Sequence, residues 1–387
     1  MAPQIAMTHA TGLGPLPALL EERGGPKAVA RAFASEGLPL ALVEDRSHRL
    51  PLRALVSLFD RAARLSGDPR LGLAVGLAMA PTEYGRWVAY ALQAPTLAGC
   101  VSRLARCIVL HQIGGALVLE HRPDGTVLWG YRLSVVSGAG ALQHNDHVLP
   151  VIARVVRAYC GADWTPLRME TCAPDPGDAA AREDATAAPW RFDAPADGIV
   201  LPAAALWARR GPPGETAGPP ISSREVLAEI RLQRQERDVG RLAAVVALRL
   251  LDGHTDIDGA ARLAGCGRRT LQRRLDAEGL SYRSVLERVR MERACALIRE
   301  TGAPLSEIAD AAGYSDPAHF SRAFRRHFGR PPSAERDAVT RRTPPPATCD
   351  VPTTGVPRQT HATTGPGPAS GGDRVSGAGD RRAPERA

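Results

Sequence analysis

Two segments of the same design constrain the fold of this chain more than any other feature. They cover residues 256–275 and 305–328, and each has a short apolar helical pattern, a glycine and then a second helical pattern with one polar face. Glycine suits the left-handed backbone of a tight turn between two helices. Each segment therefore predicts a helix-turn-helix unit.

The first segment makes its turn at Gly265, and Leu271 and Leu275 lie four residues apart on the inner face of its second helix. Its first helix has four residues that we expect to face inward: Ile257, Ala260, Ala261 and Ala264. The outer face of the second helix is left with Arg268, Arg269, Gln272 and Arg273. Such a face is suited to contacts with phosphates and base edges.

The second segment makes its turn at Gly313, and Asp316 can cap the helix that follows, with Pro317 in the first turn. Its phenylalanines recur every four residues and predict a buried ridge: Phe320, Phe324 and Phe328. A different face of the same helix carries His319, Arg322 and Arg326. The second segment thus repeats the apolar inner face and basic outer face of the first.

The stretch between the two segments, residues 281–299, has its apolar residues in helical rhythm. About 20 residues of α-helix span about 30 Å, close to the roughly 34 Å of one turn of B-DNA. A stiff spacer of this length places two recognition helices in successive major grooves on one side of a duplex.

The charge distribution supports this interpretation. Residues 240–336 contain 17 arginines against 12 acidic residues, the last fifty residues contain 7 against 4, and the rest of the chain is balanced. A neutral body with a basic C-terminal third favours a polyanion-binding module there. Lysine occurs once, at Lys27, in a context that excludes a phosphate-binding loop ending in Gly-Lys-Ser/Thr.

Four runs of residues give this module a family resemblance. They are Arg269-Thr-Leu-Gln-Arg-Arg-Leu275, Glu278-Gly-Leu-Ser-Tyr282, the spaced pattern over 290–298 and the stretch 308–333, which includes Gly313-Tyr-Ser-Asp-Pro317. Over about 240–336 the chain resembles the DNA-binding domain of the AraC/XylS family of bacterial transcription regulators. The resemblance implies an all-α domain with two helix-turn-helix motifs joined by a long helix.

The resemblance also implies which residues contact DNA. Positions of the first recognition helix that match the family are Arg269, Gln272 and Arg273, and those of the second are Ala318, His319, Ser321 and Arg322. With the neighbouring outer-face arginines, the predicted contact set is Arg268, Arg269, Gln272, Arg273, Ala318, His319, Ser321, Arg322 and Arg326. Three features depart from the family pattern: Gly267 replaces a serine cap, Pro317 and Ala318 are poor hydrogen-bonding groups, and Glu335 replaces an aromatic. We therefore expect a looser start of the first recognition helix, a second recognition helix that reads fewer bases and holds mainly phosphate, and a frayed last helix.

The first two hundred residues are of mixed pattern. Residues 1–110 read mostly as helices, while two apolar segments flanking Pro123-Asp124-Gly125 predict a hairpin over 117–133, with further strands near 167–173 and 199–201. Short matches such as 67–73, 91–97 and 191–195 resemble the arabinose-binding-type domain of one branch of these regulators. The resemblance implies a ligand-sensing and oligomerisation domain without identifying the ligand.

We therefore predict an α+β sensor domain, helix-rich with a small sheet, over 1–207. A Gly/Pro-rich linker over 208–221 precedes the helical DNA-binding domain of 222–336, and a tail without apolar anchors, 337–387, is expected to be disordered. The implied partners are double-stranded DNA, RNA polymerase, an unidentified small-molecule effector and a second copy of the chain. We expect no cofactor, no metal, no membrane association and a cytoplasmic location.

Other interpretations stay open at this point. A thiol-dependent DNA-repair enzyme would need a reactive cysteine, for which Cys266 beside the arginines is one candidate, although a tolerated turn residue explains it as well. A regulator that acts through protein partners alone is a second alternative. His144 and His147 have the spacing of a weak metal pattern. Four aromatic residues can line a ligand pocket or simply pack in the core: Trp87, Tyr90, Trp129 and Tyr131.

Overall fold

The computed structural model describes residues 4–135, 141–211 and 220–342. The predicted tail beyond 342 and most of the predicted linker, 212–219, lie outside the described residues. The elements of the described residues are sixteen α-helices and seven short strands, with 3-10 turns between some of them.

The first half of the chain contains all of these strands and eight of the helices. The helices are α1 (Leu16–Gly24), α2 (Ala28–Ser35), α3 (Leu52–Ser66), α4 (Leu71–Ala78), α5 (Arg86–Leu92), α6 (Leu97–Cys107), α7 (Leu142–Cys160) and α8 (Ala179–Thr186). The strands are β1 (Met7–His9), β2 (Arg49–Pro51), β3 (Gly115–His121), β4 (Thr126–Leu133), β5 (Arg168–Glu170), β6 (Trp190–Arg191) and β7 (Gly198–Pro202).

The second half of the described chain is helical throughout. Its helices are α9 (Ser223–Gln235), α10 (Asp238–Leu250), α11 (Ile257–Leu263), α12 (Arg268–Ala277), α13 (Tyr282–Glu300), α14 (Leu305–Ala311), α15 (Pro317–Phe328) and α16 (Pro332–Arg342). A helix-rich region with a small sheet, followed by a helical region, agrees with the predicted fold class.

Two sheets organise the first half. Strands β3, β4, β7, β5 and β6 form one sheet in that order, antiparallel except for the β5–β6 pair. The predicted hairpin is confirmed, and the Asp124 carboxylate accepts the Thr126 amide hydrogen in its turn at 3.0 Å. Strands β1 and β2 pair antiparallel in a second sheet, within residues predicted to be mostly helical. At three residues each, they are too short to show an alternating pattern.

Helix α7 lies close against α4 because two glycines of α4 face it. A Cβ atom added at Gly72 would be 2.0 Å from the Gln143 carbonyl oxygen, and one at Gly76 would be 2.4 Å from the His147 carbonyl oxygen. The Gln143 side chain also accepts the Gly72 amide hydrogen at 2.9 Å. This approach of two backbones fixes the position of α7, which carries His144 and His147.

The first predicted helix pair is observed as α11 and α12. Gly265 lies between them with φ of +70°, and Leu271 and Leu275 are buried as expected. Asp256 begins α11: its carboxylate accepts the Gly259 amide hydrogen and also binds Arg249 of α10, both at 2.6 Å. The Arg249 contact and the cap together lower the pKa of Asp256 to about 2. The start of α11 is therefore attached to α10.

The second predicted pair is observed as α14 and α15, with Gly313 at φ of +80° between them. Asp316 caps α15 as expected, accepting the amide hydrogens of Ala318 and His319 at 2.9 and 3.2 Å. The expectation of a buried ridge is wrong at one end: Phe320 and Phe324 are buried, but Phe328 is 36% exposed. Phe328 is the last residue of α15, where the helix extends beyond the hydrophobic core.

The spacer is helix α13, which Ser281 and Ser284 begin with a reciprocal capping box. Its 19 residues span about 28 Å at 1.5 Å per residue. The last helix, α16, is not frayed at Glu335, which is 3% exposed and forms ion pairs with Arg299 and Arg330. These contacts hold α16 against α13, and α16 extends to Arg342, past the domain boundary expected at 336.

Three hydrophobic clusters form the core of the described chain. One consists of Leu73 and residues of 87–206, and it includes Val226 and Ile230 of α9. A second joins residues of 5–75 to residues of 242–289, so the first helix pair shares a core with the start of the chain. The third contains residues of 291–324 alone. The second helix pair therefore has its own core, whereas the first does not.

Candidate nucleic-acid interface and sensor cavity

The outer face of α12 carries the predicted contact residues in exposed positions. Arg268, Arg269, Gln272 and Arg273 all have exposed side chains. Arg268 lies 3.4 Å from Asp258, while Arg269 and Arg273 form no ion pair with any residue that the structure describes. Gly267 caps α12 without a side-chain hydrogen bond, as its residue type implies. The face thus presents two exposed arginines, Arg269 and Arg273, that no acidic side chain of the described residues neutralises.

The outer face of α15 is exposed in the same way. The predicted residues on it are Ala318, His319, Ser321, Arg322 and Arg326. Arg322 lies 3.8 Å from Asp316, and Arg326 forms an ion pair with Glu287 of α13. A contact between Arg326 and a phosphate would therefore exchange one negative partner for another.

The turn of the second pair rests on the spacer helix. The Arg290 guanidinium of α13 lies 5.2 Å from the centre of the Tyr314 ring, and a Cβ atom added at Gly313 would be 3.3 Å from Arg290 Nε. Tyr314 also has its ring against His319, at 5.5 Å between centroids. The outer face of α15 is thus set in place by α13.

The first helix pair, by contrast, contacts the start of the chain directly. Ile5 lies beside Leu271 and Leu275 of α12, and a Cβ atom added at Gly265 would be 4.0 Å from Cδ of Arg53 on α3. Beside this contact, Arg49 Nη1 of β2 lies 2.6 Å from Glu236 Oε1, between α9 and α10. These contacts were not predicted, because the residues are more than 180 positions apart and no local pattern connects them.

A cavity of about 60 Å³ lies in the first half of the chain, and we call it the sensor cavity. It lies among α3, α5, α6, α7, β3 and β4. Its polar and aromatic lining residues are Tyr84, Trp87, His111, Gln112, Trp129, Tyr131, His144 and His147. The remaining lining residues are Gly12, Leu55, Pro81, Val88, Leu104, Ile108, Leu117, Val148, Val151, Ile152 and Val155. Four aromatic residues were candidates from the sequence. Three of them, Trp87, Trp129 and Tyr131, line the cavity, whereas Tyr90 does not.

Hydrogen bonds fix the protonation of one side of the cavity. His147 Nδ1 lies 3.2 Å from the His144 carbonyl oxygen, which can only accept, so Nδ1 carries the proton. His147 Nε2 then accepts from the Tyr84 hydroxyl at 2.6 Å. On another side, Gln112 Nε2 donates to the Tyr131 hydroxyl. The indole Nε1 of Trp129 and Nδ1 of His144 have no hydrogen-bond partner among the described residues.

Burial keeps the histidines of the cavity uncharged. It lowers the pKa of His111 to about 3 and that of His144 to about 4, and it lowers the pKa of His147 well below the ordinary value. Of the described residues that line the cavity, none is Asp, Glu, Lys or Arg. The sequence singled out His144 and His147 by their spacing, but His111 and Gln112 carry no local signal of this kind.

The cysteine thiols that the structure describes do not have the properties of a nucleophile. Burial raises the pKa of Cys100 and Cys172 to about 11, and it raises those of Cys107, Cys160, Cys266 and Cys295. At Cys266 the effect of burial exceeds the opposing charge of Arg274, which does not fit a reactive thiol and agrees with the other interpretation, a tolerated turn residue. A reactive thiolate has a lowered pKa.

Two further properties concern the described residues as a whole. Within them, no group of three or more His, Cys, Asp or Glu side chains is arranged to hold a metal ion. None of their helices is both long enough and apolar enough to span a bilayer.

Two family models match the chain on either side of the predicted linker. One is described as the N-terminal arabinose-binding domain of AraC transcription regulators and matches residues 28–209. The other is described as a helix-turn-helix domain and matches residues 260–338. The chain belongs to the AraC family of transcription regulators. Both resemblances seen in the sequence are thereby confirmed.

Individual relatives of this AraC-family chain differ in how much of it they match. The ornithine utilization regulator of Pseudomonas aeruginosa is 26% identical over 305 residues, which are 77% of this chain and 87% of that protein. The transcriptional regulator VqsM of the same species is 38% identical over 79 residues, or 20% of this chain and 24% of VqsM. The chain thus covers about a quarter of the length of that relative.

Among solved structures, the transcriptional regulator CdpR from Pseudomonas aeruginosa is similar to this AraC-family chain. It is 24% identical with a TM-score of 0.35, and the match covers 80% of this chain and 97% of that one.

Proposed function

We propose that this chain is a one-component regulator that binds an asymmetric DNA site and responds to a small molecule. Its two helix pairs, α11–α12 and α14–α15, act as helix-turn-helix units in successive major grooves. The observation that carries the proposal is the pair of exposed arginine-bearing faces, on α12 and α15, at either side of the 19-residue helix α13. The length of α13, about 28 Å, is close to the roughly 34 Å repeat of B-DNA.

Within this interface, three side chains are proposed to read bases: Arg269, Gln272 and Arg322. Arginine can bind guanine and glutamine can bind adenine with two hydrogen bonds each. Of the other predicted residues, Arg268, Arg273, His319, Ser321 and Arg326 would contact phosphates, and the Ala318 methyl group can touch a thymine methyl group. The arginines displace counterions, so affinity falls steeply with salt.

The effector response is proposed to pass through the core that the first helix pair shares with the start of the chain. Leu55 lines the sensor cavity and belongs to this shared cluster, so a change in the cavity reaches α10 through packed side chains. The Arg49–Glu236 ion pair provides a polar contact beside it. By family inference, the regulator engages RNA polymerase and can form a homodimer. Because its proposed target is chromosomal DNA, the regulator would act in the cytoplasm. It would carry out no catalytic step.

The direct test is selection of genomic DNA fragments by the purified protein, followed by titration of the best fragment at two salt concentrations. We expect one fragment to bind at least about a thousandfold more tightly than random DNA, with protection over two helical turns. Equal binding of all fragments with a steep salt dependence would show a general polycation and would contradict the proposal.

A variant pair tests the proposed contacts. The double substitution Arg269→Ala/Arg322→Ala should weaken specific binding by about 2–6 kcal/mol, since each two-bond base contact contributes about 1–3 kcal/mol. The matched control is Arg31→Ala/Arg64→Ala, which removes the same charge from exposed positions on α2 and α3. If both double variants bind the selected site equally well, the contact assignment is wrong.

A further inference from the structure

We propose that the sensor cavity is the effector site and that its ligand is a small, uncharged, mainly apolar molecule carrying a hydrogen-bond acceptor. The proposal rests on the regulatory function given above and names the chemical class that this function responds to. The acceptor would bind the indole Nε1 of Trp129, and the apolar part would lie against the aliphatic wall of α7.

The lining supports an uncharged ligand. Of the described lining residues, none carries a formal charge, and burial keeps the three histidines neutral. Placing an unpaired charge in such surroundings is strongly unfavourable. A carboxylate or an ammonium group would therefore lose its hydration without gaining an opposite charge.

The unsatisfied polar atoms support a ligand with an acceptor. Trp129 is 1% exposed, yet its Nε1 donor has no partner among the described residues. Buried donors are nearly always hydrogen-bonded, and one left without a partner destabilises the protein. The neighbouring Tyr84 hydroxyl already gives its hydrogen to His147, so Trp129 is the better placed donor for a ligand.

The size of the cavity limits which ligands fit without a movement of its wall. Its volume of about 60 Å³ exceeds the roughly 10–15 Å³ needed for one water and is below the ~150 Å³ of an apolar cavity that binds benzene. A short-chain molecule is therefore the first probe. A larger ligand requires part of the wall to move outward, and its half-buried residues are the candidates: Pro81, Tyr84, Ile108, Leu117 and Val148.

The test uses four probes of nearly equal size with the full-length regulator: 2-butanone, 2-methyl-1-butene, propionate and sec-butylammonium. Binding is followed by the fluorescence of the tryptophans and by the rise in unfolding temperature that a ligand of the folded state causes. We expect 2-butanone to bind about tenfold or more tightly than either ion. Equal or tighter binding of an ion, or no binding of 2-butanone at millimolar concentration, would overturn the proposal.

Two variants test the role of Trp129. Trp129→Phe keeps an aromatic ring but removes the donor, so the preference for 2-butanone over the isosteric alkene should fall about three- to tenfold, the size of one neutral hydrogen bond. Trp207→Phe is the control, because Trp207 is 75% exposed and does not line the cavity. An unchanged preference in Trp129→Phe would refute the assigned contact.

The same preparations separate this proposal from the regulatory function. DNA binding is measured without any probe, so its failure leaves the ligand result intact. Conversely, the protein can select a specific DNA fragment and bind no uncharged probe. In that case the proposed regulatory function stands and the proposed class of effector is wrong.

Discussion

Arg49 Nη1 lies 2.6 Å from Glu236 Oε1, and this contact joins the second strand of the chain to the two-residue turn between α9 and α10. Both side chains are mostly buried, at 15% and 21% exposure. His9, the β-ladder partner of Arg49, hydrogen-bonds through its backbone to His111 in the cavity wall. The cavity and the first helix pair are thus only a few contacts apart.

A double-mutant cycle on Arg49→Ala and Glu236→Ala should give a coupling free energy of about 1 kcal/mol or more in urea unfolding, because charge-assisted contacts shielded from water exceed the value of exposed ones. The exposed pair Arg64–Asp60 is the comparison, with an expected coupling of about 0.3–0.5 kcal/mol. Equal coupling free energies for the two pairs would mean that the Arg49–Glu236 contact does not strengthen the attachment of β2 to the turn between α9 and α10.

The buried histidines should make the folded protein sensitive to acid. The pKa of His144 is about 4 when folded, below its unfolded value, so the unfolded chain binds its proton first as pH falls. The contribution of His144 to the free energy of unfolding is fully present above about pH 6.5. It declines between about pH 6 and 4, by up to about 1.4 kcal/mol per pH unit.

Urea unfolding of wild type and of His144→Phe at several pH values measures this contribution. The variant should show a shallower loss of stability over the same interval, since one of the three cavity histidines is gone. Parallel curves for the two proteins would contradict the assigned protonation of His144.

Glu335→Ala should loosen α16. The substitution removes the buried carboxylate that binds Arg299 and Arg330, and we expect a loss of about 1–3 kcal/mol in unfolding free energy. Hydrogen exchange localises the effect: amides of α16 should exchange faster, whereas those of α3 should not change. Glu300→Ala, at an exposed position on α13, serves as the control.

Gly72→Ala should destabilise the first half of the chain by about 1–3 kcal/mol or more, because the added methyl group would lie 2.0 Å from a backbone oxygen of α7. Gly302→Ala is the matched control, since a Cβ atom there meets nothing within 4 Å. Thermal unfolding of both variants gives the comparison, and equal midpoints would show that α7 can move away freely.

The ion pair between Arg182 and Asp146 lies in the core at 2.7 Å, and a second contact joins Arg182 to Asp178 at 2.5 Å. Burial raises the pKa of Asp146 to about 7 even beside Arg182. Arg182→Met should cost about 3–5 kcal/mol because it leaves the buried Asp146 carboxyl, and Asp178, without their partner. The double variant Arg182→Met/Asp146→Leu should recover much of this loss. If the double variant is no more stable than the single one, an unpaired charge is not the cause.

The spacing of residues in the sequence predicted those parts of the fold that depend on residues close together along the chain. The inner leucines of α12, the cap at Asp316 and the hairpin at Asp124 all follow from spacing within a few positions. Phe328 was misplaced because periodicity shows a face of a helix but not where the opposing core ends. Glu335 was misjudged because one of its arginine partners, Arg299, lies 36 positions earlier on α13.

The candidate sites divide in the same way. The exposed basic faces of α12 and α15 could be predicted, because the residues of each face lie on one helix. The sensor cavity could not, since its wall combines side chains from Gly12 to Val155. The sequence offered Trp87, Trp129 and Tyr131 as residues of a ligand pocket or of the core, but no pattern placed them in the same wall as His111.

The separate cores of the two helix pairs have a consequence for engineering and for evolution. Because Leu271 and Leu275 help to build the core around residues of 5–75, a graft of a foreign α11–α12 pair must also match the sensor beneath it. The stretch from 291 onward carries its own core and is the natural unit of exchange. If α12 and α15 each read a half-site, as proposed, operator preference should diverge faster at the half-site of α15 than at that of α12.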